Sequence, residues 1–117
     1  MNIEDLRLYC LDKAGVFECF PFDEETLVFK VVKKMFALIP LEHGDRISLK
    51  CDPERAIELR EEWEEITAAW HMSKKHWNSI ILNGRVPREL VLELVDHSYD
   101  LVRKSLKKAD RETLESM

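Results

Sequence analysis

Two β-rich segments, residues 27–32 (LVFKVV) and 35–39 (MFALI), stand only two residues apart, at Lys33 and Lys34. So short a link cannot carry the chain over to a parallel neighbour, which takes a dozen residues or more. The pair therefore predicts an antiparallel hairpin, although Lys-Lys lacks the glycine or asparagine that such a turn prefers. Residues 46–50 (RISLK) alternate after a turn-like stretch at 40–45 and add a strand, so the hairpin grows into a meander.

The rest of the chain is punctuated by helix signals. Asn2 offers a cap for a helix over 3–13, with Glu4 and Asp5 in its first turn and Gly15 past its end. A short strand at 16–20 is stopped by Pro21. Asp52 followed by Pro53 opens a second helix running to about Trp63. Residues 67–72 predict extended chain, Ser73 a cap for one turn over Lys74, Lys75 and His76, and residues 77–82 (WNSIIL) another strand. Pro87 opens a last helix to about Leu106, striped by Leu90, Val91, Leu94, Val95, Leu101 and Val102. These elements predict an α+β fold, an antiparallel β-sheet with helices packed on one face. It forms a single domain over 1–107, followed by a polar tail at 108–117.

At 117 residues, 45% of them hydrophobic, the chain can bury a core without metal or disulfide staples. No apolar run approaches the roughly 20 residues of a membrane helix, and the acidic N-terminus is unlike a secretory leader. Cys10, Cys19 and Cys51 are odd in number and outside any C-x-x-C pattern, which predicts free thiols in a cytoplasmic protein. A monomer without cofactor or metal is expected.

Charge narrows the function. The net charge is −5, yet residues 26–41 and 66–88 contain no acid. The first run holds Lys30, Lys33 and Lys34. The second holds Trp70-His71-Met72-Ser73-Lys74-Lys75-His76-Trp77-Asn78, where cations could meet phosphates and an indole could stack on a base. Lysines at hairpin tips and sheet edges also serve simply to discourage aggregation, so the sequence leaves both readings open. His71 and His76, five apart, suit neither a strand face nor the i, i+4 metal pair. Cys51, just before a helix N-terminus, occupies a position that lowers a thiol pKa, but no oxyanion motif accompanies it. Asp96-His97-x-x-Asp100 reads as an exposed helix face, as do the acids between Glu58 and Glu65.

As an ordered set, several segments resemble the MmcQ/YjbR family of small bacterial proteins. They are Phe20-Pro21-Phe22 with Glu25-Thr26-Leu27-Val28-Phe29-Lys30-Val31, then Lys34-Met35-Phe36-Ala37-Leu38 and Ile47-Ser48-Leu49-Lys50-Cys51-Asp52-Pro53-Glu54. They continue with His71-Met72-Ser73-Lys74-Lys75-His76-Trp77-Asn78 and Asp96-His97-Ser98-Tyr99-Asp100-Leu101-Val102. The resemblance implies a CyaY-like (frataxin-like) fold and DNA binding through a double-wing surface. Asp23 stands where the family often has glycine, and Ser73 where asparagine is usual. The expected function is that of a DNA-binding protein, not an enzyme, with a regulatory role. Its contact set is Lys30, Lys33, Lys34, Lys50, His71, Lys74, Lys75, His76, Trp77 and Asn78. The alternative is an adaptor for an acidic protein partner or a small anionic metabolite. A frataxin-like metal site follows from fold analogy alone, with only Glu4, Asp5 and Asp12 as acids on the first helix.

Overall fold

The computed structural model describes residues 2–69 and 72–117. It contains strands β1 (Val16–Cys19), β2 (Thr26–Val31), β3 (Lys34–Pro40), β4 (Arg46–Lys50), β5 (Ile66–Ala68) and β6 (Trp77–Ile81). Helices are α1 (Ile3–Leu11), α2 (Pro53–Glu62), α3 (Arg88–Ser105) and α4 (Lys108–Glu115). The strands form one antiparallel sheet in the order β1-β2-β3-β4-β6-β5. This is the α+β meander expected from the short hairpin link.

Side-chain alternation sorts the sheet into two faces. Leu27, Phe29, Val31, Ile39, Ile47, Leu49 and Ile80 pack with Leu6 and Cys10 of α1, Ala56 and Leu59 of α2, and Val91, Leu94, Val95 and Val102 of α3. The buried side chains of all four helices belong to this core. On the opposite face Val28, Leu38, Ala69 and Trp77 form a smaller cluster, with Cys19, Met35 and Met72 against it. A bulge between Phe29 and Lys30 lets both Phe36 and Ala37 turn toward the helices.

Four consecutive residues of α3 fasten the layers together. Asp96 accepts a hydrogen bond from the Tyr9 hydroxyl at 2.8 Å and pairs with Lys13. His97 Nε2 accepts from the Asp52 amide at 3.1 Å, the residue that caps α2. Ser98 Oγ donates to the Phe36 carbonyl at 2.5 Å and accepts from the Lys50 amide at 2.9 Å. Tyr99 donates to the Ala14 carbonyl at 2.6 Å, and its ring meets Phe36 edge-on at 5.5 Å. Sequence reading placed Asp96, His97 and Asp100 on an exposed face, which holds for Asp100. Asp96 does keep 45% of its side chain exposed, but the group as a whole ties α3 to α1, α2 and the bulged strand.

Two expectations need correction. The hairpin turn is Val32-Lys33, not Lys33-Lys34, because Val31 pairs with Lys34. Val32 takes a φ of 58° and donates to the Gly15 carbonyl at 3.1 Å. The expected tail forms α4 instead, since Leu114 gives it an apolar contact and is 4% exposed in the main core. Gly15 makes room for it: a Cβ there would stand 2.5 Å from Leu114 Cδ1. Among the described residues no helix is long and apolar enough to cross a membrane.

Candidate functional site

Strand register decides which charges meet. Lys30 faces Met35, Ala37 faces Leu49, and Lys50 faces Trp77. The Val32-Lys33 turn therefore lies at the same end of the sheet as Lys50 and the Ser73–His76 turn. Two strand steps separate β3 from β6, roughly 10 Å. α3 ends there too, since Lys34 Nζ donates to the Ser105 carbonyl at 3.0 Å. The other end is acidic, carrying Asp23, Glu24, Glu25, Glu42, Asp45 and Glu64. Two of its arginines have acidic partners: Arg46 pairs with Asp45 at 3.2 Å and Arg85 with Glu65 at 3.7 Å. Crowding at this end shows in Glu25, whose carboxyl is pushed above its ordinary range by Glu42.

The helix-free face is basic within the strands. Lys30 shares it with Val28, and Lys50 shares it with Trp77. Glu18 is the one acid in the six strands, and it turns to the helix side, where Arg7 Nε holds it at 2.7 Å. That guanidinium keeps the Glu18 carboxyl below the usual range.

Not every expected contact residue offers surface. Lys30 and Lys50 are half-buried, and Lys34, Lys74 and Lys75 are exposed. Lys33 keeps 76% of its side chain exposed while reaching Asp110 of α4 at 3.6 Å. His76 is half-buried, with its carbonyl accepting from the Cys51 amide at 2.7 Å. Trp77 is only 7% exposed, locked into the small cluster, so its ring is withheld from a ligand. Asn78 points the other way. Its amide donates to the Ala56 carbonyl at 3.2 Å, and its oxygen accepts from Arg60 at 2.9 Å. Asn78 thus supports the turn from inside. His71 and its neighbour Trp70 lie outside the described residues. The Ser73 turn is present, closed by the Ser73 carbonyl, which accepts from His76 and Trp77.

Sequence reading missed Phe17. It lies on edge strand β1, directly opposite Lys30, and is 46% exposed. Only the sheet order reveals that, among the described residues, no strand pairs beyond β1. The basic last turn of α3, Arg103 and Lys104, was visible as composition, but only the helix direction brings it to the basic end.

Burial pushes Cys10 up to about 12 and raises Cys51, so at Cys51 burial outweighs any lowering by the α2 N-terminus, and the thiol is the small buried one that the lack of an oxyanion motif suggests. Among the described residues no group of three or more His, Cys, Asp or Glu side chains could hold a metal ion. A cavity of about 10 Å³ beside Cys51 and Asn78 has room for one water at most. A wider groove of about 680 Å³ runs between α1 and Arg88, but Asp5 and Asp12 line it and oppose an anion.

Fold and site together define a class: a small one-sheet α+β domain with its described helices on one face and several lysines gathered at one end of the sheet. A family model described as YjbR matches residues 11–101, and the chain belongs to the YjbR family. It is 31% identical to the uncharacterized protein YjbR of Escherichia coli (strain K12), over 97% of this chain and 98% of that one. It is 38% identical to the uncharacterized protein YyaQ of Bacillus subtilis (strain 168), over 86% and 97%. The crystal structure of Deinococcus radiodurans protein DR2400, domain DUF419, superposes with a TM-score of 0.89 at 45% identity, covering 97% of this chain and 88% of that chain. A Pseudomonas syringae protein structure gives 0.72 at 30% identity, covering 86% and 98%.

Proposed function

We propose that this chain is a non-enzymatic DNA-binding protein that holds phosphates against the basic end of its sheet. One observation carries the reading: the register brings the Val32-Lys33 turn, Lys50 and the Lys74-Lys75 turn to a single end, with β3 and β6 two strand steps, roughly 10 Å, apart. Cations so grouped release counterions when they neutralise phosphates, which gives affinity even to a protein of net charge −5. The burial of Cys10 and Cys51 fits a binder better than a thiol enzyme. Of the two wings that the family resemblance implies, the first is docked onto α3 and α4 through Lys34 and Lys33. In the second, Lys74 and Lys75 are both exposed.

The test is a titration of labelled DNA against the protein at several salt concentrations. Affinity is expected to fall steeply with salt. Lys74→Ala with Lys75→Ala should lower the magnitude of the logarithmic salt slope by about 2, roughly one for each phosphate no longer neutralised. Saturable binding that ignores both salt and this double substitution sinks the proposal, as does no binding at low salt.

A further inference from the structure

We infer that the nucleic acid taken by this protein is single-stranded, with a base stacked on Phe17 and the neighbouring phosphates on Lys30 and Lys50. The inference rests on the DNA-binding reading above and specifies its ligand.

Three observations converge on the helix-free face. First, Phe17 on β1, Lys30 on β2 and Met35 on β3 stand in one cross-strand row, and Lys50 faces Trp77 at the same end. The row thus runs from a half-exposed ring on an edge strand past two ammonium groups. Second, no strand directs an acid to this face, because Glu18 is turned away and held by Arg7. Third, the hairpin that would have to enter a duplex groove is tethered to the body of the domain at three successive residues. Val32 is bonded to Gly15, Lys33 to Asp110 and Lys34 to Ser105.

Shape separates the two forms of nucleic acid. Six strands at about 4.8 Å make a face ~24 Å wide, whereas the major groove is about 12 Å wide and admits a helix or a two-stranded ribbon. A duplex can lay only its phosphates on such a face. An unpaired strand can also turn a base flat against an aromatic ring, and this stacking is tolerant of sequence. Trp77 cannot serve, being 7% exposed, whereas Phe17 is 46% exposed.

The experiment is fluorescence anisotropy with a labelled oligothymidine, an oligouridine, a duplex of the same length, and polyphosphate as a charge without bases. Both single strands are expected to bind more tightly than the duplex. Phe17→Ala should weaken single-strand binding by about 5- to 150-fold, the range for removal of one base stack. It should leave the salt slope and polyphosphate binding unchanged, and Phe17→Tyr should restore affinity, which also excludes misfolding as the cause. Equal binding of single strand and duplex, both indifferent to Phe17→Ala yet weakened by Lys74→Ala with Lys75→Ala, overturns the inference and leaves the DNA-binding reading standing. Loss of concentration-dependent self-association in Phe17→Ala, seen by sedimentation, also overturns it, since the face would then be covered by a second copy. Failure of every ligand to bind overturns both.

Discussion

Arg60 donates one guanidinium nitrogen to the carbonyl oxygen of Lys74 at 2.8 Å, fixing an exposed basic turn to the inner side of α2. The same nitrogen lies 2.9 Å from the Asn78 oxygen, and Asn78 in turn reaches the Ala56 carbonyl. A residue that meets no ligand thus sets where Lys74 and Lys75 stand.

Arg60→Ala should therefore act on stability as well as on the turn. It strands the Asn78 oxygen, which is in a residue only 3% exposed, at a cost of about 1–3 kcal/mol. Urea denaturation should show the loss, and hydrogen exchange should show faster exchange of the His76 and Trp77 amides, which close the turn on Ser73. Arg60→Lys should not rescue fully, because an ammonium lacks the planar fork.

Ser98 is fully buried, with one hydroxyl serving the Phe36 carbonyl and the Lys50 amide. Ser98→Ala should cost about 1–3 kcal/mol in chemical denaturation, as two backbone groups lose their partner. Ser98→Thr adds a methyl at a fully buried site and should also destabilise, by about 1–3 kcal/mol of overpacking. A neutral result for both would show that the α3–sheet contact does not depend on this hydroxyl.

His97 should make the fold sensitive to mild acid. Burial, then the nearby Arg55 guanidinium, lowers its pKa below the ordinary 6.5, outweighing Asp52, Asp100 and Glu93. The folded state therefore favours the neutral ring, whose Nε2 accepts the Asp52 amide. The unfolded chain binds the proton more readily, so stability rises with pH in this window. The contribution is complete above about pH 6.5 and is lost as pH falls through the lowered value. Thermal melts at pH 7.5 and 5.5 should show a larger drop for the parent than for His97→Gln; equal drops would remove His97 as the cause.

Gly15 joins two constraints at one position. Its φ is 75°, and a Cβ would meet Leu114 Cδ1 at 2.5 Å. Gly15→Ala should cost about 1–2 kcal/mol from the left-handed backbone alone, plus the displacement of α4. Because Leu114→Ala removes the collision but not the backbone cost, the double variant should lose less than the sum of the singles. Strict additivity in a double-mutant cycle would argue that α4 does not seat on this glycine.

The legible parts of this fold were those decided by local chemistry. The two-residue link forced a hairpin, and Asp52-Pro53 starts α2 where expected, its side chain accepting from the Arg55 amide at 3.2 Å. Strand β4 begins and ends as its alternation predicts. The turn slipped by one residue because the bulge at Phe29 changes the pairing count, which no local pattern records. Trp77 looked like a stacking surface, but β6 lies between β4 and β5, and its ring is covered by Ala69 and Leu38 across the sheet. Asn78 is its inward-facing neighbour. Of the candidate site, the two lysine-bearing runs were visible as acid-free stretches, but only the β3-β4-β6 register brings them to one end, and Phe17 emerged only once β1 was seen to be an edge.

The separation of charge along the strands makes this protein an electric dipole as well as a net anion. At distances beyond the screening length, about 8–10 Å in ordinary salt, its −5 charge is largely hidden from a polyanion by counterions. Closer in, the unequal ends feel unequal forces, and the resulting torque turns the lysine-bearing end foremost. Approach in the wrong orientation is self-correcting, so the acidic end acts as a rudder for the basic one.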